Sequence, residues 1–137
     1  MFLQLIAAFN RGSLDVPDGF LTPHTVYSVN GQAYETLLGR SPDDTLIRLL
    51  ARGAAGYRTA AKALQYALQN PEITVESVSE APGALVAALR VNGRLRPDGE
   101  PFSRPFTVMM TTDQERLASM AVTCAPEDLE RVRLARV

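Results

Sequence analysis

The sequence predicts an α+β fold, in which helices are followed by a meander of antiparallel strands. Apolar residues recur at helical spacing before residue 71, whereas residues 73 to 124 contain successive runs of β-branched, aromatic and large apolar residues. The connections between these runs are short and rich in turn residues. Ala81-Pro82-Gly83-Ala84 has the proline and glycine positions of a type II turn. Because short connections cannot cross a sheet, neighbouring strands should be antiparallel.

The elements follow from these patterns in chain order. Before the meander we predict a helix over residues 2–11, a short helix over Asp15–Leu21, a strand over Thr25–Asn30, its return partner over Ala33–Leu38, and helical structure from Ser41 to Asn70. The meander strands are predicted at Ile73–Val78, Ala84–Leu95, Phe102–Thr112 and Leu117–Cys124, and a charged helix over Pro126–Arg136 follows them.

One strand of the meander is apolar on both faces. Leu85 and Leu89 lie at one parity of the second run, and Val86 and Ala88 lie at the other. A strand of this kind is covered on both faces. Since one chain of this length offers a single set of helices, we predict a homodimer formed through the open sheet face.

Composition excludes several function classes. The 137 residues are interpreted as one domain, 1–137, and the net charge of −1 argues against nucleic-acid binding. No apolar run reaches the roughly 18 residues of a membrane span, and the apolar N-terminus lacks the basic region and cleavage site of a signal sequence. The single cysteine, Cys124, fits a reducing, cytoplasmic location. No cofactor motif is present, and one histidine with one distant cysteine predicts no metal site.

The order of elements resembles that of the nuclear transport factor 2-like superfamily, which includes SnoaL-like polyketide cyclases and ketosteroid isomerases. The similar passages are Phe9–Asp15, Leu21–Gly31 (with His24 where an aspartate is common) and Pro101–Phe106, and the resemblance extends from residue 1 to about residue 125. It implies a cystatin-like, curved antiparallel sheet wrapped around N-terminal helices, forming a cone-shaped pocket. The helical stretch Ala54–Asn70 is longer than is usual in the family.

The resemblance does not carry over the catalytic residues of the isomerases. Their tyrosine, aspartate base and protonated aspartic acid fall on Leu5, Ser28 and Thr107 of this sequence. Leu5 has no polar group, and Ser28 and Thr107 can hydrogen-bond a ligand but cannot act as general bases near neutral pH without a partner. Steroid isomerisation is therefore disfavoured, and no catalytic residue is assigned.

Other polar residues are better explained by structure than by catalysis. Glu35, Glu76 and Glu80 are interpreted as solvent-facing strand residues, with Glu76 the first to check as an acid. His24 is assigned to a surface turn. The four tyrosines are expected to pack in the core, Arg104 to face solvent or a partner subunit, and Cys124 to act as a small buried hydrophobe.

The predicted pocket is apolar with two hydroxyl groups. Its lining residues are predicted to be Ser28, Leu85, Leu89, Thr107, Met109, Met120 and Val122. The alternative is that these side chains fill the cone completely. Three functions therefore stay open: a homodimer that binds a small apolar molecule, a cyclase, dehydratase or isomerase acting on an apolar carbonyl or polyketide-like substrate, and a dimerisation module without a ligand.

Overall fold

The fold combines one mixed sheet with helices on one of its faces. A computed structural model describes residues 2–16, 19–37, 51–96, 98–114 and 116–135. The elements are α1 (Phe2–Asn10), β1 (Leu21–Val29), β2 (Gln32–Ala33), α2 (Tyr34–Leu37), α3 (Gly53–Ala67), β3 (Leu68–Ala81), β4 (Ala84–Leu95), β5 (Glu100–Asp113), β6 (Arg116–Thr123) and α4 (Pro126–Ala135).

The strands form a curved six-stranded sheet in the order β2-β1-β6-β5-β4-β3. Strands β3 to β6 form the predicted antiparallel meander, and β4 has the predicted bounds. Gly83 adopts a φ of 74° between β3 and β4, as the type II turn requires. The expectation of a wholly antiparallel sheet is wrong in one place, because β1 pairs with β6 in parallel. These two strands are far apart in sequence, so no hairpin fixes their relative direction.

Helix α1 packs on the inner face of the sheet, which we define as the face covered by helices. Phe2 and Leu5 of α1 join Ala87, Val108 and Met110 in one buried apolar cluster. Helix α4 covers the far end of the same face, where its side chains pack against a second cluster formed by Leu68, Val91, Leu95 and Phe102. On the opposite, outer face of the sheet, Val26, Val86 and Met109 are exposed.

Several boundaries before the meander differ from the prediction. The return strand is limited to Gln32–Ala33, and Tyr34–Leu37 form a helical turn because Tyr34 and Leu37 lie three positions apart and pack in one cluster. The described residues of Asp15–Leu21 form no helix, and Leu21 already belongs to β1. The long helix ends at Ala67, so β3 begins before Asn70-Pro71. The predicted helical start at Ser41 lies outside the described residues.

Candidate functional site

Pairing across the sheet assigns each predicted pocket residue to a face. Met110 is paired with both Leu85 and Met120, Val108 with Val122, and Leu89 with Phe106. Paired residues point to the same face, and all of these side chains belong to the cluster under α1. Leu85, Leu89, Met120 and Val122 therefore lie on the inner face, and their role in lining a ligand pocket stays a prediction.

Thr107 and Met109 lie on the outer face, so their prediction as pocket residues is wrong. Met109 is 49% exposed and is paired with Val86 and Ala121, which also point outward. The error has a simple cause: because side chains alternate along a strand, a one-residue misalignment reverses every orientation. Ser28 also points outward, since it is paired with Ala121.

The inner face is not covered uniformly. Ala87, Val108 and Leu117 are buried, but Phe106, Met120 and Val122 remain partly exposed although they belong to the central strands β5 and β6. Tyr57 of α3, also partly exposed, packs against the same cluster. We call Tyr27, Tyr57, Phe106, Met120 and Val122 the inner-face site.

Two phenol groups give this apolar site its polarity. The hydroxyl of Tyr27 donates a hydrogen bond of 2.7 Å to the carbonyl oxygen of Gly53. The hydroxyl of Tyr57 makes no hydrogen bond to another described residue. Burial raises the pKa of both tyrosines, and the proximity of Tyr57 raises the pKa of Tyr27 further. Both phenols therefore stay neutral near physiological pH, at which they can donate hydrogen bonds but cannot act as phenolate bases.

Two glycines allow α3 to lie this close to β1. A Cβ atom on Gly56 would lie 2.5 Å from the carbonyl oxygen of Ala51 and 2.9 Å from the Tyr27 ring. One on Gly53 would lie 2.9 Å from the carbonyl oxygen of Thr22, and Gly53 also has a φ of 63°. Glycine is the residue that tolerates both constraints. The small residues of this helix thus fix where Tyr57 lies relative to Tyr27.

A second feature, the β1–β6 depression, lies beside the short strand β2. It has a volume of about 350 Å³ and is lined by residues that include Ser28, Ser119, Glu35 and Arg52. Glu35 is 4% exposed, and its Oε1 lies 2.8 Å from Nε of Arg52. The prediction that Glu35 is a solvent-facing strand residue is therefore wrong. Glu35 instead lies in the helical turn Tyr34–Leu37, which is signalled by the three-residue spacing of Tyr34 and Leu37, and its side chain is buried against Arg52.

Two further acids are held in ion pairs. Asp128 is buried at the start of α4, and its carboxylate accepts a 2.8 Å hydrogen bond from Nε of Arg104. Arg104 thus lies on the inner face rather than the outer one, although 42% of its side chain remains exposed, and its pKa is raised by this bond. Glu76 is exposed and lies 3.5 Å from Arg90, which gives it no catalytic setting.

The remaining candidates have mixed outcomes. His24 is exposed in β1, in agreement with a surface position. Burial raises the pKa of the partly buried Cys124 thiol, so the thiol is not activated. Tyr66 is 73% exposed, so its prediction as a core residue is wrong. Among the described residues, no three acids, histidines or cysteines lie together to hold a metal.

The architecture is found in many solved structures. The chain is similar to a protein described as a SnoaL-like polyketide cyclase from Jannaschia sp. CCS1, with a TM-score of 0.69 and 15% identity over 96% of this chain and 87% of the other. It is also similar to TerC co-crystallised with polyporic acid, with a TM-score of 0.70 and 13% identity over 96% and 95% of the two chains. A de novo designed protein with a curved β-sheet matches with a TM-score of 0.63 and 12% identity over 98% and 89%.

These likenesses establish the fold. The chain has the nuclear transport factor 2-like fold, in the form seen in SnoaL-like and ketosteroid isomerase-like proteins. No family model matches the sequence, and no curated protein is significantly similar to it. Because a designed protein shares the architecture, the fold by itself specifies no activity. In the described part of the chain, no helix is long and apolar enough to cross a membrane.

Proposed function

We propose that this protein binds a small, mainly apolar molecule at the inner-face site. The observation that carries the proposal is the partial exposure of Phe106, Met120 and Val122 on the helix-covered face of two central strands. Side chains at such positions are normally buried by packing. Apolar surface beside a few polar groups is the usual makeup of a small-molecule site.

The tyrosines define the polar part of the ligand. Tyr57 has a hydroxyl without a hydrogen bond to another described residue, whereas the Tyr27 proton is already directed at Gly53. Because both phenols remain neutral, Tyr57 is the group that would donate to a carbonyl or hydroxyl oxygen of the ligand. The crystallisation of TerC with polyporic acid on the same fold supports a ligand of this general kind.

The first test is native mass spectrometry of protein purified under mild conditions, combined with binding of the apolar dye anilinonaphthalene sulfonate. Val122→Phe, which fills the inner-face site, should reduce dye binding several-fold. Leu134→Phe, at a 59% exposed position on α4, serves as the control. Dye binding that is kept in Val122→Phe, or lost equally in Leu134→Phe, would contradict the proposal.

We further propose that two copies associate through their outer faces. Val26, Val86 and Met109 point outward and are among the most exposed large apolar residues of the sheet. Exposed apolar surface of this kind marks interaction sites. In sedimentation velocity experiments, Met109→Glu should convert the dimer to a monomer. Leu3→Glu, at a 60% exposed position on α1, should leave the dimer intact. If Met109→Glu sediments as a dimer, the outer face is not the interface.

An enzymatic function is the second candidate, and the β1–β6 depression favours it. Its buried carboxylate, Glu35, is fixed by Arg52 beside the hydroxyl-bearing residues Ser28 and Ser119. A positioned carboxylate can take a proton from water or a substrate. Turnover of an apolar carbonyl or polyketide-like substrate should then fall at least about 100-fold in Glu35→Gln. Turnover unchanged in this variant would exclude Glu35 as the base.

The third candidate is a dimerisation module without a ligand. The close burial of Leu89, Met110 and Leu117 is the observation that favours it. A dimer that carries no extra mass and binds no dye would support this function over the other two.

A further inference from the structure

A separate cleft lies between the end of α1 and the start of β3. It has a volume of about 370 Å³, and its lining includes the polar residues Arg11, Gln65, Asn70 and Arg96. Among the described residues that line it, none is acidic. None of these lining residues belongs to the inner-face site or to the β1–β6 depression. We call this feature the α1–β3 cleft.

Several hydrogen-bond donors in the cleft have no partner among the described residues of the protein. Among the described residues, the guanidinium groups of Arg11 and Arg96 form no ion pair and no side-chain hydrogen bond. The Nε2 atom of Gln65 is buried without a hydrogen-bond partner. Leaving a buried N–H unsatisfied is costly, so such a group indicates a missing acceptor.

The backbone carbonyls nearby do not supply this acceptor. The carbonyl oxygen of Phe9, at the end of α1, already accepts a 2.9 Å hydrogen bond from the Gly12 amide. The carbonyl oxygen of Ala67, at the end of α3, accepts one of 3.0 Å from the Arg96 amide. The two helix C-termini together contribute a partial charge of about −1. The two arginines contribute +2 at neutral pH. The local charge is therefore positive even after the helix dipoles are counted.

We propose that the α1–β3 cleft binds an oxyanion, the carboxylate or phosphate group of a small molecule. Arg11 and Arg96 would supply the charge, and the Gln65 amide would donate a hydrogen bond after its side chain turns from its buried position toward the anion. Oxyanions accept several charge-assisted hydrogen bonds at once, which matches a cleft lined by donors. The proposal does not depend on a ligand at the inner-face site.

The test is a titration of the full chain with inorganic phosphate at low ionic strength, followed by NMR of the Gln65 side-chain amide. The amide signals should shift and saturate. Arg11→Gln and Arg96→Gln should each weaken binding about tenfold, the loss expected for one charge-assisted hydrogen bond. Both arginines are exposed, so both variants should fold.

The matched control is Arg133→Gln, which removes the same charge from an arginine on α4 that is 66% exposed as a side chain. Its affinity for phosphate should stay within about twofold of the wild-type value, because a remote charge is screened. An equal loss in all three variants would mean non-specific attraction and would overturn the proposal. So would a Gln65 signal that does not saturate.

A parallel titration with succinate distinguishes the two possible sources of the oxyanion. Tighter binding of succinate than of phosphate would assign the cleft to carboxylates, and the reverse order would assign it to phosphate groups. Gln65→Met should weaken whichever anion binds. Unchanged affinity in Gln65→Met would remove the amide from the site and contradict the assignment.

Discussion

The packing of α3 against β1 gives the sharpest quantitative prediction, which concerns Gly56→Ala. In an exposed helix interior, replacing glycine by alanine stabilises a protein by about 1 kcal/mol. At Gly56 the added Cβ would lie 2.5 Å from the Ala51 carbonyl oxygen and 2.9 Å from the Tyr27 ring. The carbonyl belongs to the backbone and cannot move alone, and the Tyr27 ring is held by its hydrogen bond to Gly53.

These effects oppose each other, and the steric effect should prevail. Overpacking commonly costs about 1–3 kcal/mol, and here two contacts are violated together. After subtraction of the helix-propensity gain, we expect a net destabilisation of about 2 kcal/mol. Urea denaturation followed by far-UV circular dichroism measures this difference, provided that the m-value is unchanged.

The control is Ala60→Gly at an exposed position of the same helix. This variant isolates the effect of helix propensity and should lower the free energy of unfolding by about 1 kcal/mol. If Gly56→Ala were instead as stable as the wild type, α3 would not lie this close to β1 in solution. The arrangement of Tyr27 and Tyr57 in the inner-face site would then have to be revised.

Three further predictions concern buried polar groups. Asp128→Asn should destabilise the protein by about 1–2 kcal/mol, as measured by urea denaturation. The loss is moderate because Asp128 is buried but its partner Arg104 is partly solvated. Glu130→Gln, on the exposed side of the same helix, is the control and should change stability by less than about 0.5 kcal/mol. Gln65→Met should raise the melting temperature, since it removes an unsatisfied buried N–H, and a lower value would show that the amide has a partner. The ionisation of Tyr27 should lower the free energy of unfolding by about 1.4 kcal/mol per pH unit above pH 10. The reason is that the phenol ionises near pH 10 in the unfolded chain, whereas burial raises its pKa in the folded protein, so the contribution of Tyr27 is complete below pH 10. Tyr27→Phe should flatten the dependence of stability on pH, and the control Tyr66→Phe should not.

The likeness to solved structures defines the fold of this chain, whereas its activity depends on the residues of the candidate sites. Alignment over nearly the whole chain with TM-scores of 0.69 and 0.70 defines the architecture, even at 15% identity or less. The substrates of those proteins do not transfer with it, because activity depends on individual side chains. For this chain we propose that those side chains are the two neutral phenols of the inner-face site and the Glu35–Arg52 pair.

The sequence by itself determined the elements whose signals are local. Turn chemistry at Ala81–Ala84 and the apolar run that follows it predict a hairpin whose second strand begins and ends where expected. The order of elements was sufficient to predict the fold. The absence of the isomerase catalytic residues at Leu5, Ser28 and Thr107 was also visible without coordinates.

Tertiary structure alone decided the features that depend on partners distant in sequence. Thr107 and Met109 were assigned to the wrong face although Phe102, Phe106 and Val108 share the opposite parity of β5, and the pairing of β5 with β4 and β6 establishes the orientation. The parallel pairing of β1 with β6 is likewise set by contacts across most of the chain. Glu35 is buried and forms an ion pair with Arg52, the residue that precedes α3. An ion pair of this kind leaves no periodic signal in the sequence, and packing alone brings its members together.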